Sequence, residues 1–179
     1  VTVGGSEAID ATMRAILEPG DEVILPVPSF VCYGPIAEMI GAKVVTIETK
    51  LENKFKLTKE ELISAITPKT KLLILPFPNN PTGAILTKEE LEEIAEIVRG
   101  TNIAILSDEI YAELTYGKRH VSIAEIDGMK ERTIIASGFS KAYAMTGWRL
   151  GYICGPAPLV KEILKIHQYA IMCAPTMSQ

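Results

Sequence analysis

The sequence predicts an α/β protein: a three-layer α/β/α arrangement around a mixed, mostly parallel sheet of seven strands. Three observations lead there. Short apolar runs bounded by Pro, Gly or polar residues recur at Val1–Val3, Glu22–Leu25, Val44–Ile47, Leu72–Leu75, Ile103–Leu106, Thr133–Ala136 and Leu150–Cys154, and continuous rather than alternating apolar runs mark strands covered on both faces. Helical patterns fall between most of them, and strands alternating with helices favour parallel pairing through crossovers. The interval from Ala136 to Leu150 has little room for a crossover helix, so the strand it feeds is expected to run antiparallel to the others.

The helices follow from local signals. Ile9, Met13, Ile16 and Leu17 form an i, i+4, i+7, i+8 stripe closed by Pro19-Gly20, with Ser6 read as its N-cap. Thr58 with Glu61 and Thr87 with Glu90 spell capping boxes, and the helix opened by the second is expected to end at Gly100. A last helix is expected from about Leu159 to Met172, and the polar interval Lys50 to Lys56 reads as a surface excursion between a strand and a capped helix.

At 179 residues, 47% hydrophobic and 22% charged, the chain matches ordinary single-core soluble usage and needs neither a disulfide nor a metal to fold. Its 18 basic and 22 acidic side chains give a net charge of −4, with neither sign gathered into a block. That argues against a nucleic-acid partner and leaves a small-molecule ligand. Cys32, Cys154 and Cys173 are odd in number, lack CxxC spacing and sit among apolar neighbours, so they read as buried reduced thiols rather than metal ligands. No apolar run approaches the roughly 18 residues of a membrane span and no signal-peptide pattern opens the chain, so no membrane partner and a cytoplasmic location are expected. The chain starts inside an apolar β-like segment and stops at Gln179 without a terminator; it is expected to be a piece of something larger.

In α/β sheets ligands sit beyond the carboxyl ends of the strands, and four loops there carry chemistry-bearing residues. Gly4 to Ala8 (GGSEA) places two glycines before a helix start, either a tight turn or an anion-holding backbone. It lacks the GxGxxG and GxxxxGK[ST] spacings of dinucleotide and nucleoside triphosphate sites. Pro76 to Gly83 (PFPNNPTG) is stiffened by three prolines, either a plain turn or a mount that aims the Asn80 amide. In Ser107 to Tyr111 (SDEIY), Asp108 is either a helix cap or a buried functional acid, and Tyr111 shares its face if the chain is helical there. In Ser137 to Gly151 (SGFSKAYAMTGWRLG), Lys141 stands in a loop of small and apolar residues. A desolvated amine loses its charge more easily and becomes a better nucleophile toward a carbonyl. Arg149 offers a bidentate fork to a phosphate.

Together and in this order, NNPTG, SDEIY and SKAYAMTGWRLGY resemble the fold type I pyridoxal-phosphate enzymes, specifically the class I/II aminotransferases, over essentially the whole chain. The resemblance implies that Lys141 forms the internal aldimine with pyridoxal phosphate and later moves the proton between Cα and the cofactor. Asp108 is similar to the acid that pairs with the pyridine nitrogen, Asn80 and Tyr111 to the donors to the 3′ oxygen, and Phe30 to the aromatic stacked on the ring, with core packing as the alternative for Phe30. Gly5, Ser6 and Arg149 match the phosphate cradle. Many relatives place a hydroxyl where this chain has Gly138, so Ser140 or Ser137 is expected to serve instead.

The activity so implied is transfer of an amino group between an amino acid and a 2-oxo acid in a two-stage, ping-pong cycle, by a homodimer. The resemblance further implies that residues 1–179 are the family's large cofactor domain, and the family's N-terminal segment and C-terminal small domain are expected to lie outside this stretch. Two other activities are compatible with the resemblance: a lyase or synthase reaction on the same fold, and the cofactor-binding sensor of a transcription regulator.

Overall fold

The computed structural model describes residues 1–179. Its strands are β1 (Thr2–Val3), β2 (Glu22–Val27), β3 (Lys43–Glu48), β4 (Thr70–Leu75), β5 (Ala104–Asp108), β6 (Thr133–Gly138) and β7 (Leu150–Cys154), and its helices are α1 (Gly4–Ile16), α2 (Tyr33–Ile40), α3 (Lys59–Ala65), α4 (Lys88–Val98) and α5 (Ala157–Ala170). All seven strands form one sheet in the order β1-β7-β6-β5-β4-β2-β3. Only β7 runs against the rest, antiparallel to both β1 and β6. The expected reversal is there for the expected reason: the connection from β6 holds just a short helical turn at Thr146–Trp148.

Burial on both faces explains the unbroken apolar runs of the inner strands, whereas in the outer strand β3 only Ile47 is buried, because a sheet edge has no neighbour on one side. In β4, Leu72 and Ile74 enter one hydrophobic core while Leu73 and Leu75 enter the other, because successive side chains leave a strand on opposite faces. The first core packs under α1, α2 and α5 through Ala8, Ile9, Met13, Ile36 and Ile163. The second lies under α3 and α4 through Leu62, Leu91, Ile94 and Val98. Both expected capping boxes are present, with Thr58 and Thr87 accepting from the backbone N–H of Glu61 and Glu90.

Several local expectations are corrected. Ser6 is not an N-cap: α1 starts at Gly4, directly after β1, and Ser6 lies in its first turn while the Glu7 carboxylate accepts the Val3 N–H. Strand β2 runs past Pro26, which the sequence reading took as its limit; beyond Ile24 it pairs with β3 alone, so the missing proline N–H leaves no gap on the β4 side. Helix α2 carries no side-chain cap, which is why nothing local announced it, and it ends at Gly41 in the left-handed region, φ 86°. Helix α5 begins two residues early because Pro158 fits a first turn, where a missing N–H costs nothing. The cysteines are free but not buried: Cys32 is half-buried, and Cys154 and Cys173 are exposed. No helix is long and apolar enough to cross a membrane.

Because β1, β2, β4, β5 and β6 point the same way, the loops that follow them gather along one edge of the sheet. Backbone packs on backbone there. A Cβ on Gly151 would lie 2.5 Å from the Gly4 carbonyl carbon and 2.7 Å from the Gly5 nitrogen, and one on Gly138 would lie 2.9 Å from Gly151 Cα. Main chain cannot yield as a flexible side chain does, so Gly151→Ala is expected to destabilise the fold by about 3 kcal/mol, the upper range for overpacking. Urea unfolding of the variant beside the wild type checks it.

Candidate active site

The edge holds a cleft of about 220 Å³ whose floor is the end of β5. Asp108 closes that strand and is 7% exposed. Its Oδ2 accepts the Tyr33 hydroxyl at 2.6 Å and its Oδ1 accepts the Ile110 N–H at 3.1 Å. Burial raises the carboxyl above its ordinary pKa, the Tyr33 hydroxyl and the Ile110 N–H pull it back down, and the neighbouring Glu109 raises it again. No helix begins at Asp108, so of its two readings the buried acid is the one that the structure matches. Tyr111 reaches the same cleft through a non-helical turn rather than along a helix face.

At one end of the cleft, Gly5 and Ser6 present the first turn of α1, whose N–H groups have no partner within the helix. Arg149, itself in the left-handed region at φ 53°, donates from Nη1 to the Thr146 carbonyl at 2.8 Å. Its guanidinium lies over Gly4, where a Cβ would come within 2.5 Å of Nη2. Gly4 also has φ 71°, so glycine is required there twice over, by conformation and by space. A helix N-terminus and an unpaired guanidinium on one spot make an anion site. Glu7, the acid in that first turn, faces His167 Nδ1 at 2.7 Å.

The loop after β6 supplies Ser140 and Lys141 to the cleft. Of the two serines expected to replace the hydroxyl at Gly138, Ser140 lines the cleft, while Ser137 donates to the Glu109 carbonyl at 3.3 Å and does not. The crowding at Gly138 explains why no hydroxyl stands there. Lys141 is exposed, with Nζ 5.6 Å from the centre of the Tyr111 ring. The desolvation expected of it is therefore absent: the loop is apolar in composition but lies at the cleft mouth.

Asn80 and Phe30 complete the expected set, arriving on the loops after β4 and β2. Asn79 anchors the first of these loops, accepting the Thr82 hydroxyl at 2.8 Å and donating to the Pro28 carbonyl at 3.3 Å. Phe30 is 38% exposed and meets Tyr33 edge-on with ring centres 6.0 Å apart, which removes the core-packing alternative. All nine residues singled out in the sequence thus line one cleft. Sequence reasoning missed Tyr33 and Thr146. Tyr33 gave one faint signal, a second aromatic three residues after Phe30, but nothing local pointed to a partner 75 positions away. No group of three or more His, Cys, Asp or Glu side chains is placed to hold a metal ion.

The chain is 46% identical over 180 residues to an aspartate aminotransferase of Musicola paradisiaca, covering all of this chain and 45% of that protein. Among solved structures it superposes with a TM-score of 0.95 on the aromatic aminotransferase from Pyrococcus horikoshii, at 43% identity, covering 99% of this chain and 48% of that one. The Thermus thermophilus aspartate aminotransferase with maleate also gives 0.95, at 40% identity, with 99% and 46% coverage. The chain thus spans about half the length of the relatives it matches. The sequence model for aminotransferase class I and II matches residues 1–179, and the chain belongs to that family.

Proposed function

We propose that this chain is the cofactor-binding large domain of a pyridoxal-phosphate-dependent aminotransferase that moves an amino group between an amino acid and a 2-oxo acid in two half-reactions. The observation that carries the reading is one cleft in which a primary amine, a buried carboxylate at a strand end and an anion cradle converge. The donor set fits the cofactor. The cradle of Gly5, Ser6, Ser140 and Arg149 suits a phosphate dianion, and Asp108, buried beside a second acid, calls for a cationic N–H partner. Lys141 would hold the cofactor's aldehyde carbon, Asp108 its ring nitrogen, Asn80 and Tyr111 its 3′ oxygen, and Phe30 one face of its ring. When bound, the cofactor supplies an electron sink for the pair left at the substrate Cα.

The chain's own residues do the rest. Asp108 holds a proton on the ring nitrogen and so keeps the sink charged. Asn80 and Tyr111 stabilise negative charge on the 3′ oxygen, and Lys141 carries the proton to and from Cα. Val31, Tyr143 and Trp148 stand exposed on the loops that carry Phe30, Lys141 and Arg149, which supports a homodimer in which a second subunit covers this edge.

The test is the visible absorption spectrum of the protein with pyridoxal phosphate, before and after each of a panel of amino acids, with product analysis. A band that depends on Lys141 and bleaches as a 2-oxo acid appears, followed by a new amino acid when a second 2-oxo acid is added, is the expected result. Release of ammonia or a ring product points to lyase or synthase chemistry, and a band that no amino acid moves overturns the proposal.

A further inference from the structure

Resting on that reading, we infer that Tyr33 is a positioning residue for the reaction: its hydroxyl, donating to Oδ2 of Asp108, fixes the carboxylate and keeps the shared proton on the cofactor's ring nitrogen instead of on the acid. Tyr33 opens α2 and is 2% exposed, its ring set among the residues of the first core. The phenol oxygen lies 2.6 Å from Asp108 Oδ2, the length of a strong charge-assisted hydrogen bond, and it is the only side chain that bonds to this carboxylate. The Ile110 N–H takes Oδ1. With one donor on each oxygen the carboxylate plane is set, and of its roughly four acceptor positions two remain free for the cleft.

The chemistry follows from counting donors. A carboxylate that accepts more hydrogen bonds is less basic. Burial favours neutral Asp108, and Glu109 beside it adds a like charge, so Tyr33 and Ile110 supply the opposing pull. Remove the hydroxyl and the acid becomes more basic, drawing the shared proton from the ring nitrogen toward itself. A ring without that charge is a weaker electron acceptor, and Cα gives up its proton more slowly. Tyr33 remains a donor at any working pH, because burial, and then the charge of Asp108, pushes its phenol well above the ordinary tyrosine range.

Tyr33→Phe keeps the ring and its packing and removes only the donor. In the full chain loaded with 15N-labelled pyridoxal phosphate, the ring-nitrogen resonance of Tyr33→Phe is expected to move toward the unprotonated position at a pH where the pair still holds its shared proton. The transamination rate constant is expected to fall on the order of tenfold, the scale of one hydrogen bond to a charged group. In an Asp108→Asn background the same change is expected to alter the rate less than about twofold, because the two residues act as one unit. Equal losses in both backgrounds would mean that Tyr33 is only core packing and would overturn the inference, as would an unmoved resonance in Tyr33→Phe with a normal visible band. A wild type with no Lys141-dependent band overturns the parent reading, and this inference with it.

Discussion

Lys141→Ala is expected to abolish the cofactor's visible band and to lower the transamination rate by on the order of 10⁴-fold, the upper range for a single proton-transferring group. Lys141 is the sole amine lining the cleft, and its Nζ stands over the Tyr111 ring at 5.6 Å. No other lysine is placed to take over either the covalent tie or the proton. Lys141→Arg is expected to fail almost as completely, since a guanidinium keeps the positive charge but neither deprotonates nor serves as a nucleophile. The pair of variants separates charge from nucleophilicity. Stopped-flow measurement of the first half-reaction reads both, and a Lys141→Arg enzyme with wild-type rate would remove Lys141 from the mechanism.

Asp108→Asn is expected to cost about 10²- to 10³-fold in rate, the scale found for one preorganised electrostatic contact. Cofactor affinity should change far less, because the phosphate cradle is left intact. The same substitution is expected to stabilise the ligand-free chain at neutral pH. Burial, the first cause, raises the folded-state pKa of Asp108 above its ordinary value. The folded state therefore binds the proton more tightly than the unfolded one. Its stabilising effect is complete below the ordinary carboxylate range and is lost as pH rises through the raised value. Asparagine does not titrate. Thermal unfolding without cofactor should thus show the variant gaining on the wild type between pH 4 and pH 7. A gap that does not change with pH would show that ionisation of Asp108 has no cost in the fold. The two results together describe a site that holds an uncomfortable charge in readiness for a cationic partner, stability given up where function needs it.

What the sequence by itself determined about this protein is whatever short-range physics writes into consecutive residues. Strand existence was legible because burial on two faces requires unbroken apolar runs, and the capping boxes because each is an exchange of hydrogen bonds across three residues. The reversal of β7 could be read from the length of one connection. The nine cleft residues were legible because each sits in a short motif at the carboxyl end of a strand or in the segment that follows it. Tertiary structure alone decided the rest. Sheet order sets β2 one strand away from β5, with β4 between them, and Tyr33 at the start of α2 reaches across to Asp108 over 75 residues of sequence. Close backbone approach among Gly4, Gly138 and Gly151 leaves no space for a hydroxyl at one site and seats Arg149 over another. Composition suggested a buried lysine, yet Lys141 is exposed, because burial depends on which atoms cover a loop and not on which residues compose it. Local hydrogen-bond and burial patterns are properties of a segment, whereas a carboxylate's partners and a side chain's solvent are properties of the segments packed around it.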